Sequence, residues 1–108
     1  MVIVVSITTF PYSKTQEVAE RFVEVSKKIP PNRDLEKPIL RMAARIAKNG
    51  IETISITEVK EGKYNEYMKH ESKVQMEYFD IEGMKFKSYT YLTGIDALSL
   101  VGMLMPPE

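Results

Sequence analysis

Glu71 is the residue whose position is hardest to reconcile with its chemistry. It lies in a helical stretch where Tyr67, Met68, Val74 and Tyr78 form an apolar arc, and it falls in the middle of that arc. A carboxylate in a dry interior is strongly disfavoured unless it is paired or protonated. Burial raises a carboxyl pKa, and a neighbouring guanidinium lowers it. Two roles are therefore open. Glu71 is an ion-pair partner of Arg41 or Arg45, or it is a general acid or base at the mouth of a cavity lined by Tyr64, Tyr67 and Tyr78. His70, the only histidine, is the one side chain that ordinarily titrates near neutrality. It sits at the edge of the helix face, where solvent exposure is the plain expectation and acid–base work the sharper one. Glu71 and His70 are the candidate catalytic residues.

The elements that must position these groups are written twice. Ser6, Ile7, Thr8, Lys14 and Glu17 recur 49 positions later as Ser55, Ile56, Thr57, Lys63 and Glu66. Each copy runs from a β-branched stretch through a turn residue, Ser13 or Gly62, into an amphipathic stretch. The same offset sets Glu71 against Phe22 and Gln75 against Ser26. In the strands, Val5 and Ile7 match Ile54 and Ile56 on one face, while Ser6 and Thr8 match Ser55 and Thr57 on the other. If the apolar face packs beneath the helices, the hydroxyl face is left uncovered. Such a face suits a partner sheet or a small-ligand cavity. Ser6, Thr8, Ser55, Thr57, Tyr64 and Tyr67 are the candidate ligand-binding residues.

Local signals complete the order. Val2–Phe10 reads as a strand ended by Pro11, and Ser13 with Gln16 suits a helix-capping box. Val18, Ala19, Phe22, Val25, Ser26 and Ile29 share one helical face until Pro30-Pro31. Ile39–Lys48 has helical composition, yet it alternates with a period of two and is followed by Asn49-Gly50, a strong hairpin signal. The hairpin is preferred, with a helix stopped at Asn49-Gly50 as the competing reading. A turn at Asn49-Gly50 pairs Arg41 with Glu58 and sets Asn49 at positive φ. Lys63–Phe79 forms a second helix and Met84–Leu92 a last strand; Ile95–Met105 is a short helix or an extended segment.

A chain of 108 residues with 44% hydrophobic side chains is expected to be a single domain over residues 1–108, with half-repeats at about 2–48 and 51–92 and a tail at 93–108. Fifteen basic and fifteen acidic residues balance, so the basic footprint of a nucleic-acid binder is missing. No cysteine is present, which excludes disulfides and thiolate catalysis. The first apolar run is interrupted by Ser6, and no stretch reaches the roughly 20 apolar residues of a membrane span. A cytoplasmic location without membrane contact is expected. One histidine without clustered carboxylate spacing offers too few ligands for a metal, and no cofactor is expected.

The doubled strand-helix-strand order resembles the ferredoxin-like fold. The segment Ile54-Ser-Ile-Thr-Glu-Val-Lys-Glu-Gly-Lys-Tyr-Asn-Glu66 is similar to the strand-turn-helix of the dimeric α+β barrel superfamily. That resemblance implies an α+β, βαββαβ chain with an antiparallel sheet, both helices on one face, and a homodimer built through the sheet face. The superfamily includes cofactor-free monooxygenases, isomerases and haem-degrading enzymes, so fold alone supplies no function. The absence of tryptophan counts against the haem-degrading group. The expected function is binding of a small, largely apolar molecule by the homodimer. The alternatives are a cofactor-free monooxygenase- or isomerase-like enzyme using Glu71 and His70, and a subunit-interaction or stress-response module without a ligand. A cavity of a few hundred Å³ beside Glu71 favours the first two.

Overall fold

The β-branched run at the start of the chain forms an extended strand, and the same chemistry repeats after Gly50. The computed structural model describes Met1–Glu108. It contains β1 (Val2–Phe10), a 3-10 turn (Tyr12–Lys14), α1 (Thr15–Lys28), β2 (Glu36–Ala47), β3 (Gly50–Val59), α2 (Tyr64–Met76), β4 (Lys85–Leu92) and α3 (Gly94–Ser99). The four strands make one antiparallel sheet in the order β2-β3-β1-β4. The architecture is α+β. The Ile39–Lys48 segment lies in a hairpin with β3 rather than in a helix. α3 resolves the tail: the Thr93 hydroxyl accepts from the Asp96 amide at 3.2 Å and caps it. No helix is long and apolar enough to cross a membrane. The expected Ser13 cap does not form. Ser13 is inside the 3-10 turn, and α1 has no side-chain cap.

The two faces of the sheet are used in the opposite sense to that expected. Val4 and Val59 are essentially inaccessible (1% and 0% exposed), and both pack with Tyr67 of α2 and Leu35. At the other end of the same face Phe10 packs with Val18 and Val25 of α1, and with Tyr78 and Ile81 beyond α2. The β1–β3 register sets Val4 against Thr57, Ser6 against Ser55 and Thr8 against Thr53. The hydroxyl face therefore lies beneath the helices, and the face of Ile3, Val5, Ile7, Ile54 and Ile56 is free of them. The physical reason is the position of the bulk along each strand. The hydroxyl face carries Val2, Val4 and Phe10 at its ends on β1, and Ile51 and Val59 at its ends on β3. These large anchors hold the helices, while the small hydroxyl residues occupy the centre. The core is accordingly divided into two clusters, one at each end of the sheet.

The hairpin turn is also displaced from its expected site. Lys48 and Asn49 form the turn and Ala47 pairs with Gly50. Asn49 is not at positive φ, because no residue other than glycine is. Gly50 is required for a different reason: a Cβ there would lie 2.1 Å from the Phe10 carbonyl oxygen. Two irregularities in β2, between Pro38 and Leu40 and between Leu40 and Ala43, shift the register further. Glu58 consequently pairs with Lys37 rather than Arg41, and Arg45 faces Glu52. Gly50→Ala is expected to destabilise by roughly 2 kcal/mol or more, because backbone atoms must move. Asn49→Ala is expected to stay within about 0.5 kcal/mol of the parent. Urea denaturation of the two variants checks both, and a larger loss for Asn49→Ala than for Gly50→Ala contradicts this account of the turn.

Candidate functional site

Small side chains at the middle of the sheet and large ones at its ends leave space under the helices. A cavity of about 460 Å³ occupies that space. Its floor is Ser6, Thr8, Thr53 and Ser55, its roof includes Val18, Phe22 and Val74, and Phe10, Tyr78 and Phe86 close one end. Tyr78 and Phe86 meet edge to face, with ring centroids 5.9 Å apart, a favoured aromatic geometry. A second cavity of about 300 Å³ adjoins the first, and Phe22, Arg41, Ser55, Glu71, Val74 and Tyr78 line both. α1 and the segment after α2 are tied together by Arg21. Its Nη1 and Nη2 reach the Asp80 carboxylate at 2.6 and 2.9 Å, and Nη1 also donates to the Glu77 carbonyl. This forked contact holds the Asp80 carboxyl below its ordinary range.

Glu71 projects from α2 to the junction of these cavities and is half-buried. The ion pair expected with Arg41 or Arg45 is absent. Arg45 lies on the helix-free face, where its Nε donates to Glu52 Oε2 at 2.7 Å. Arg41 is turned to the cavity side by the second irregularity in β2, but it forms no salt bridge. The Glu71 carboxyl is therefore pushed above its ordinary range, first by burial and then by the Glu36 carboxylate, with His70 opposing.

His70 does not face solvent as expected. It is half-buried, its Nε2 lies 3.1 Å from the Pro30 carbonyl oxygen, and its buried Nδ1 has no hydrogen-bond partner. A carbonyl only accepts, so Nε2 carries the proton and, in the neutral ring, Nδ1 keeps its lone pair. Glu36, Glu71 and His70 come together, with one ligand-capable atom of each within 4.8 Å of the others. The expectation of too few clustered ligands is thus corrected, because Glu36 reaches the site from β2. The buried Thr57 hydroxyl lies 3.1 Å from Glu36 Oε1 and 3.2 Å from the Lys37 carbonyl oxygen, fixing that carboxylate.

Of the residues singled out in the sequence, Ser6, Thr8, Ser55 and Glu71 share the larger cavity. Ser55, Thr57, Tyr67, His70 and Glu71 share the smaller. Tyr67 is buried (2% exposed), and its phenol is kept protonated well above the ordinary range by burial, then by Glu71 and Glu36. Tyr64 lines neither cavity; its hydroxyl bonds Thr90 Oγ1 at 2.9 Å on β4. Glu36 escaped the sequence reading because Pro38 argues against a strand around it. β2 is an edge strand, where proline is tolerated, and the strand begins at Glu36.

No family model matches the chain, and no curated protein matches it. Among solved structures it is similar to a de novo designed protein, Foldit4, at 11% identity and a TM-score of 0.48, over 85% of this chain and 96% of that one. Glu71→Gln preserves shape and removes a half-buried, unpaired charge. In metal-free protein at neutral pH it is expected to stabilise by on the order of 1 kcal/mol. A loss of several kcal/mol on urea denaturation means instead that Arg41 neutralises Glu71 in solution.

Proposed function

We propose that the protein binds a small, largely apolar molecule between its helices and its sheet. The body of the ligand meets Phe10, Val18, Phe22 and Val74, and one polar group meets Glu71 and the hydroxyls of Ser6, Thr8 and Ser55. The observation that carries this reading is the cavity of about 460 Å³ with Glu71 at its edge. Its size lies within the range of small-molecule sites, which are mostly apolar with a few convergent polar groups. An acid–base role for Glu71 on a bound substrate, as in a cofactor-free monooxygenase or isomerase, is the second reading. It is favoured by the raised carboxyl beside the protonated Tyr67 phenol. Ala19→Phe, which adds bulk to the cavity from α1, is expected to abolish the fluorescence enhancement of 1-anilinonaphthalene-8-sulfonate expected with the parent. Native mass spectrometry of the parent is expected to show a co-purified organic molecule that the variant lacks. Equal probe binding by both proteins overturns the assignment to this cavity.

The ferredoxin-like, dimeric α+β barrel reading is part of the same proposal. It is supported by the two strand-helix-strand units, by the sheet order β2-β3-β1-β4, and by the helix-free face. Ile3, Val5, Ile7, Ile54 and Ile56 share that face with Tyr89 and Tyr91, which pair with Val5 and Ile3 and are about half exposed (46% and 54%). Only 11 of 108 residues are buried within one chain, a thin core that association would complete. The centre of that face is apolar where antiparallel sheets ordinarily turn polar side chains to water, with Lys37 and Glu58 at one end and Arg45, Glu52 and Lys85 at the other, and a second copy offers a surface of matching character. Val5→Glu is expected to convert a dimer to a monomer in sedimentation equilibrium. A monomeric parent at micromolar concentration refutes the dimer while leaving the cavity assignment intact.

A further inference from the structure

Beyond the apolar cavity, we infer that Glu36, His70 and Glu71 form a binding site for a divalent transition-metal ion of the zinc class. The three side chains come from two elements, β2 and α2, and offer one imidazole nitrogen and two carboxylates with ligand atoms within 4.8 Å of one another. That spread closes to the separations of a coordination sphere with small side-chain adjustments, given metal–ligand bonds of about 2.0–2.2 Å. A mixed nitrogen–oxygen set suits zinc or its divalent neighbours better than magnesium or calcium, which take oxygen ligands.

Three observations outside the cluster support the assignment. His70 Nδ1 is buried and unpartnered, which is costly for a polar atom unless something occupies its lone pair. The opposite ring nitrogen donates to the Pro30 carbonyl at 3.1 Å, the outer-sphere contact that fixes the tautomer of a metal-bound histidine. Glu36 is likewise steadied from outside the cluster by the buried Thr57 hydroxyl at 3.1 Å. Charge points the same way. Arg33 and Arg41 line the cavity, but no lysine or arginine nitrogen lies within 4.0 Å of the Glu36 or Glu71 carboxylate. All three ligands line the cavity of about 300 Å³. An ion held there by three side chains keeps a coordination position for water or for a donor atom of a bound molecule.

The test uses chelator-treated, dialysed full-length protein without organic ligand. Titration calorimetry with zinc chloride is expected to show one ion per chain, and zinc alone raises the melting temperature while magnesium does not. Glu71→Gln and His70→Gln are each expected to weaken zinc binding by well over tenfold, and Thr57→Val by roughly tenfold through the outer sphere. Circular dichroism establishes that each variant is folded. For a variant that does not fold, visible absorption of the cobalt-loaded parent reports imidazole–carboxylate ligation directly. Absence of zinc binding by the parent, or undiminished binding by folded Glu71→Gln and His70→Gln, overturns the site. Ala19 lines the larger cavity but not the smaller one that holds all three ligands, so loss of dye binding and loss of zinc binding are separable results.

Discussion

Along β1 and β3 the face turned toward the helices is apolar at both ends and hydroxyl-bearing in between. The helices come to rest on the ends: Tyr67 on Val4 and Val59, and Val18 and Val25 on Phe10. The centre, where Ser6, Thr8, Thr53 and Ser55 are too small to reach across, remains a cavity rather than a filled core. Close packing is the norm in protein interiors, and unfilled space forfeits dispersion contacts. A chain that spends its few large residues at two separated anchors therefore gives up cohesion at the centre. The cavity, the division of the core and the small number of buried residues all derive from that one distribution of bulk.

Glu71 belongs to the same pattern. At the matching position of α1 stands Phe22, which contributes apolar surface to the roof of both cavities. α2 offers a carboxyl instead, grouped with a second carboxylate and an imidazole. In a well-packed interior that combination is unfavourable. Here it is tolerated because the space around it is roomy and polar on the sheet side. The two strand-helix units thus differ at this matching position, with an apolar residue in one and a carboxyl in the other.

Much of the architecture was legible in the sequence, because repeated Ser-Ile-Thr strands and the period-two alternation of Leu40–Ile46 constrain element order strongly. The assignment of faces was not. Both faces of β1 carry β-branched residues, and counting them favours the Val5–Ile7 side. Deciding the matter required weighing Val4 and Phe10, whose bulk lies at the ends of the other side. The ion pair drawn between Glu71 and Arg45 failed with that assignment, since Arg45 followed Ile54 to the helix-free face. Two irregularities in β2, which leave no local trace in residue type, bring Arg41 to the cavity side with Glu71, yet it forms no salt bridge there. Glu36 was invisible for a related reason: the proline that obscured its strand is acceptable only once that strand is known to be at the margin of the sheet.

That marginal position also governs how chains can meet. A sheet with two open rims invites further strands to add sideways, the route to fibrillar growth. On one rim Pro38 lacks an amide hydrogen to offer, and the adjacent irregularities break the ladder's regularity. On the other rim Lys85 and Lys87 place like charges where an added copy would align. Sideways polymerisation is discouraged at both rims, so the broad isoleucine-rich surface can stay sticky without making the chain prone to aggregate.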